Sequence, residues 1–92
     1  MSSTAIARHV VVHGKVQGVS FRMLCSEQAR EAGVTGWVQN QPDGTVEAWF
    51  EGELDAVDRV LAWCHQGPPG ARVQQVVVVE DVPRGDADFE VR

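Results

Sequence analysis

Gly14-Lys15-Val16-Gln17-Gly18-Val19-Ser20-Phe21-Arg22 stands between a run rich in β-branched residues and a run with helical spacing. A loop in that place can aim successive main-chain N–H groups inward and form a nest for an anion. Its glycines let the backbone approach the anion with no Cβ in the way. The helix that follows adds unpaired N–H groups and the positive end of its dipole. Arg22 then stands out. A cation in a first helical turn is opposed by the dipole, at a cost of about 0.3–1 kcal/mol. An anion in the loop removes that conflict, and the guanidinium holds two of its oxygens in a bidentate fork. A solvated arginine on a helix flank accounts for the same residue at little cost. The stretch lacks both the Gly-Lys-Ser/Thr ending of a Walker loop and the three-glycine dinucleotide pattern.

Asn40 is the second candidate. Standing just before Gln41-Pro42-Asp43-Gly44, it can initiate the turn, as Asn often does. Its amide can equally accept a hydrogen bond from a water and donate one to an oxyanion. Other constellations are weaker. His9 and His13 share one strand face, about 13 Å apart at the usual strand rise, too far to hold one metal. No further ligand cluster accompanies them, so neither metal nor cofactor is expected. Ser20 lies near His13 with no acidic third member, which argues against a serine triad. Trp37 and Trp49 share a sheet face, as aromatics do in RNA-binding sheets, but no basic aromatic motif surrounds them.

The elements that must position these residues follow from periodicity. Ala7 to His13 is a strand, stopped by Gly14, and Lys15 to Ser20 is a loop. Phe21, Leu24, Cys25, Ala29 and Ala32 form one apolar helical stripe, closed by Gly33. Val34 to Asn40 and Thr45 to Glu51 are strands of a hairpin around the Pro-Asp-Gly turn. Leu54 to His65 is a second helix, with Val57, Val60, Leu61 and Cys64 inward. Gly67-Pro68-Pro69-Gly70 forbids regular structure. Val73 to Val82 is a fourth strand, and Phe89 to Val91 a short closing one. The order predicts an α+β, ferredoxin-like βαββαβ sandwich: an antiparallel four- to five-stranded sheet with both helices on one face. The first and second strands then run parallel and end at the same edge of the sheet.

Composition narrows the field further. Residues 1–92 make one domain, with residues 1–5 a flexible N-terminus. Eight Lys and Arg against thirteen Asp and Glu give a net charge of −5. That opposes non-specific binding to nucleic acid or an anionic membrane, though not to a small anion. No apolar run approaches the ~18 residues of a membrane span. Cys25 and Cys64 fall on apolar helix positions and read as reduced core thiols, which suits the cytoplasm.

Two motifs resemble those of the acylphosphatase family: the loop from Gly14 to Arg22, and Gly36-Trp37-Val38-Gln39-Asn40-Gln41-Pro42-Asp43-Gly44-Thr45-Val46-Glu47. The resemblance extends from about residue 7 to 91. It implies hydrolysis of acyl phosphates, mixed carboxylic–phosphoric anhydrides, to carboxylate and inorganic phosphate. Nothing in the sequence demands more than a monomer. By that resemblance the main-chain N–H groups of Val16, Gln17, Gly18, Val19, Ser20 and Phe21 bind the phosphoryl group together with Arg22. Asn40 positions the attacking water. Gln39 stands where the family often has Arg or Lys. From the residues themselves, a non-catalytic anion-binding module on the same fold is the alternative.

Overall fold

The computed structural model describes residues 4–92. Seven elements follow one another: β1 (Ile6–Lys15), α1 (Phe21–Ala32), β2 (Thr35–Asn40), β3 (Val46–Gly52), α2 (Leu54–Gln66), β4 (Arg72–Asp81) and β5 (Phe89–Val91). The expected order holds, with boundaries displaced by one or two residues. Val34 leaves the predicted strand because its N–H closes helix α1 on the Ala29 carbonyl at 2.8 Å. Of the N-terminal five residues, the first three lie outside the described ones; Thr4 and Ala5 are exposed and precede β1.

The five strands are ordered β4-β1-β3-β2-β5. Strand β3 pairs antiparallel with both β1 and β2. The sheet is not antiparallel throughout, however: β5 joins β2 in parallel, so the sheet is mixed. The cause is the route of residues 82–88. Strand β4 ends beside Ala7 at one edge, and β5 begins beside Gly36 at the other. The chain must turn back across one end of the sheet, and it re-enters against the direction of β4. Four strand spacings amount to about 19 Å, within reach of a seven-residue connector.

Alternation sends Val10 and Val12 of β1, Val38 of β2, and Val46, Ala48 and Phe50 of β3 into one core. Phe21, Cys25 and Ala29 of α1 and Val57, Val60 and Cys64 of α2 meet them there. Trp49 belongs to the opposite face. It is buried, under the Arg84 guanidinium 4.0 Å from its ring centroid. Its indole N–H donates to Glu51 at 2.6 Å. Glu51 also accepts from the main-chain N–H groups of Arg84, Gly85 and Asp86 at 3.0, 3.0 and 3.4 Å. This carboxylate thereby holds the connector across the end of β3, the middle strand. Burial pushes its pKa up, but the donors from Trp49, Arg84, Gly85 and Asp86 outweigh that and hold it below the ordinary carboxylate value.

One glycine is essential to the pairing that carries Asn40. Gly36 has φ of +135°, and a Cβ there would lie 1.8 Å from the Trp49 carbonyl oxygen. Any side chain would push β2 off β3.

Candidate active site

Val46 at the start of β3 pairs with Val12 of β1 on one side and with Asn40 of β2 on the other. The ends of β1 and β2 thus lie at the same edge, as the crossover topology requires. The loop of residues 16–20 rises from that edge into α1. It is pinned from below at both ends. Val16 and Phe21 are buried, and the Phe21 ring packs against Trp63 with centroids 5.1 Å apart. Between them the backbone coils tightly. Gly18 has φ of 75° and Ser20 φ of 64°, the one described non-glycine residue with positive φ. A non-glycine residue there costs about 1–2 kcal/mol, and such strain gathers at functional sites.

The consequence is a row of unsatisfied donors. The first main-chain N–H after the loop to find a protein acceptor is that of Leu24, at the Ser20 carbonyl, 3.1 Å away. Among the described residues no protein acceptor is recorded for the N–H groups of residues 16–21. No side chain caps α1, and no acidic residue stands in its first turn. The positive end of the helix is left uncompensated.

A cleft of about 380 Å³ opens over this loop, lined by Val16, Gly18, Ser20, Phe21, Arg22, Met23, Asn40 and Val91. It brings together Arg22 and Asn40, which stand eighteen positions apart in the chain. The amide of Asn40 makes no protein hydrogen bond among the described residues. The Arg22 guanidinium donates through Nη1 to the main-chain oxygen of Arg92 at 2.6 Å. That partner was not legible in the sequence, because it depends on β5 lying parallel beside β2. Arg92 itself is held over the Trp37 ring, 4.7 Å from its centroid, and pairs with Glu90 at 3.0 Å.

The side chains of two of the expected phosphate-binding residues, Gln17 and Val19, are turned elsewhere, while the expectation concerns their main-chain N–H groups. Val19 packs against the core. The side chain of Gln17 turns toward the hairpin, where its amide reaches the carbonyls of Gln41 and Thr45. The turn is closed from within by Asp43, whose carboxylate accepts from the Thr45 N–H and hydroxyl at 3.0 and 2.7 Å. Those bonds, the hydroxyl's first, hold the Asp43 pKa below its usual range. Gln39 faces away from the cleft and donates to Glu47 at 2.8 Å, beside His9 and Gln41 on the same carboxylate. No three His, Cys, Asp or Glu side chains gather as metal ligands among the described residues.

A sequence model of the acylphosphatase family matches residues 8–91. The chain belongs to that family. An acylphosphatase from Gloeobacter violaceus is 54% identical over 89 residues, which are 97% of this chain and 96% of that protein. The solved acylphosphatase structure from Coxiella burnetii superposes with a TM-score of 0.92 at 42% identity, covering 96% of this chain and 93% of the other. That from Bacillus subtilis gives the same TM-score at 31% identity, covering 95% and 98%. The acylphosphatase fold expected from the two motifs is therefore present over nearly the whole chain. The activity is hydrolysis of acyl phosphates, an acid-anhydride cleavage.

Proposed function

We propose that acyl phosphate hydrolysis takes place in the cleft above the 16–22 loop, with Arg22 and Asn40 as its catalytic residues. The observation that carries this reading is the convergence of one guanidinium, a row of unsatisfied N–H groups and one free amide on a single concave site. The N–H groups of residues 16–21 and the Arg22 fork hold the phosphoryl oxygens. To do so, Arg22 exchanges the Arg92 oxygen for the anion. Asn40 orients a water for attack on phosphorus.

Neither residue serves as a general base, because a guanidinium offers donors and no acceptor and a neutral amide takes up no proton. The reaction needs none. The water oxygen bonds to phosphorus as the bond from phosphorus to the bridging oxygen breaks. The carboxylate leaves with that electron pair, and the water's proton passes to a phosphate oxygen. A carboxylate is a good leaving group, and the loose transition state depends on positioning and charge stabilisation. This chemistry runs without metal or cofactor, in one domain of one chain. The two buried free thiols suit the cytoplasm, and the reading is of a monomer. With a net charge of −5, nucleic acid is not a partner in this reading.

Turnover of benzoyl phosphate in the presence of EDTA tests the assignment. Arg22→Lys is expected to lose most activity, because a point charge cannot replace a planar fork. Asn40→Ala is expected to lower kcat by about 10²-fold or more while inorganic phosphate inhibits almost as before. Wild-type turnover in either variant removes that residue from the mechanism.

A further inference from the structure

We propose that Gln17 is a positioning residue for the hydrolysis: its side-chain amide clamps the phosphate loop to the neck of the hairpin turn and sets the distance from the bound phosphate to the water at Asn40. The inference rests on the roles given above to the loop and to Asn40. Nε2 of Gln17 carries two N–H bonds, and both are used. One goes to the Gln41 carbonyl at 2.7 Å and the other to the Thr45 carbonyl at 2.9 Å. These two oxygens face each other across the base of the turn. The Gln41 N–H already donates to the Thr45 oxygen at 2.9 Å, and the Gly44 N–H to the Gln41 oxygen at 3.1 Å. Each carbonyl thus accepts two hydrogen bonds, the most its two lone pairs provide.

The position of the clamp is what gives it a role. Gln17 lies between Val16, buried in the core, and Gly18, where the backbone turns through positive φ. Gln41 directly follows Asn40, and Thr45 directly precedes Val46, the partner of Asn40 across the hairpin. Among the described residues these are the only hydrogen bonds between residues 16–22 and the hairpin tip of residues 40–46. Without them the phosphate and the water are carried by two segments with no polar bond between them. A misplacement of about 1 Å between reacting groups can cost ~10²-fold in rate. The main-chain N–H of residue 17 remains in the loop whatever the side chain. Loss of the clamp therefore separates phosphate binding from turnover.

The test is a double-mutant cycle of Gln17→Met, of similar length and without donors, with Asn40→Ala. Benzoyl phosphate turnover and inhibition by inorganic phosphate are measured on all four proteins. The expected result for Gln17→Met is a kcat reduced by about tenfold or more, with the phosphate inhibition constant within about threefold of wild type. In the Asn40→Ala background the same substitution should cost less than about twofold, because the two residues act on one distance. An unchanged kcat, equal losses in kcat and phosphate affinity, or full additivity with Asn40→Ala overturns the clamp. Should Gln17→Met not fold, Gln17→Glu serves. Its ionised carboxylate faces two carbonyls, and protonation returns one donor, so its kcat relative to wild type should rise as the pH falls from 7 to about 5. A flat ratio also overturns the proposal. If Asn40→Ala alone keeps full turnover, the role of Asn40 has failed; if Asn40→Ala is impaired and Gln17→Met is not, only the clamp has failed.

Discussion

Arg22 shows how a local conflict is resolved by a ligand. Its charge opposes the dipole of α1 and is met in the structure by one acceptor, the Arg92 main-chain oxygen. A dianion in the loop would satisfy the fork, the helix end and the free N–H groups together. Beyond Arg22 the cleft turns apolar. Met23 is 59% and Val91 43% exposed at its mouth. In the proposed binding mode they border the acyl part of a bound acyl phosphate. Replacing Met23 by Ser should raise KM for benzoyl phosphate by about four- to fifteenfold, the worth of one or two methylenes at ~0.8 kcal/mol each. KM for acetyl phosphate should change far less, since the methyl group does not reach the rim. Equal changes for both substrates would place the acyl group elsewhere.

Among the elements, the connector of residues 82–88 brings three of its main-chain N–H groups to a single carboxylate. Glu51 gathers four N–H donors, and β5 in turn delivers Val91 to the cleft and Arg92 to Arg22. Glu51→Gln turns an NH₂ against some of those donors and should cost about 1–3 kcal/mol of stability at neutral pH. The sign of the pH effect follows from the lowered pKa of Glu51 in the fold. Its stabilisation is complete above the ordinary carboxylate value of 4.5 and is lost as the pH falls through the lower, folded value. The stability difference between wild type and Glu51→Gln, from urea denaturation, should be constant near neutrality and shrink in acid. A difference that widened in acid would contradict the donor arrangement. Gly36 acts at the same level, since the pairing of β2 with β3 that carries Asn40 requires the absence of a Cβ.

For the whole molecule, one core joins the two helices to the sheet, and both cysteines lie within it. The thiol of Cys64 is pushed well up, by its hydrogen bond with Cys25 and then by burial, and both thiols are closed off from solvent in the folded protein. An aromatic disulfide reagent at pH 8 should modify neither thiol of the native protein over minutes and both at once in denaturant. Prompt reaction in the native state would mean that the packing of α1 against α2 opens without global unfolding.

The local order of the chain was legible in its residues. Alternation and helical spacing are short-range consequences of where Cβ atoms point, so strands, helices and the turn could be read from neighbours. Gly14 to Arg22 and Asn40 were legible as candidates because their residue types suit an anion and a water. Right-handed crossovers even placed the two at one edge of the sheet. What no local pattern contains is the meeting of distant segments. The parallel entry of β5, the Arg92 oxygen on Arg22, the burial of Trp49 under the connector and the reach of Gln17 to Gln41 and Thr45 all join residues at least twenty-four positions apart. Such contacts depend on the register and twist of the assembled sheet. A glutamine in a loop looks the same in sequence whether it faces solvent or fastens two halves of a cleft.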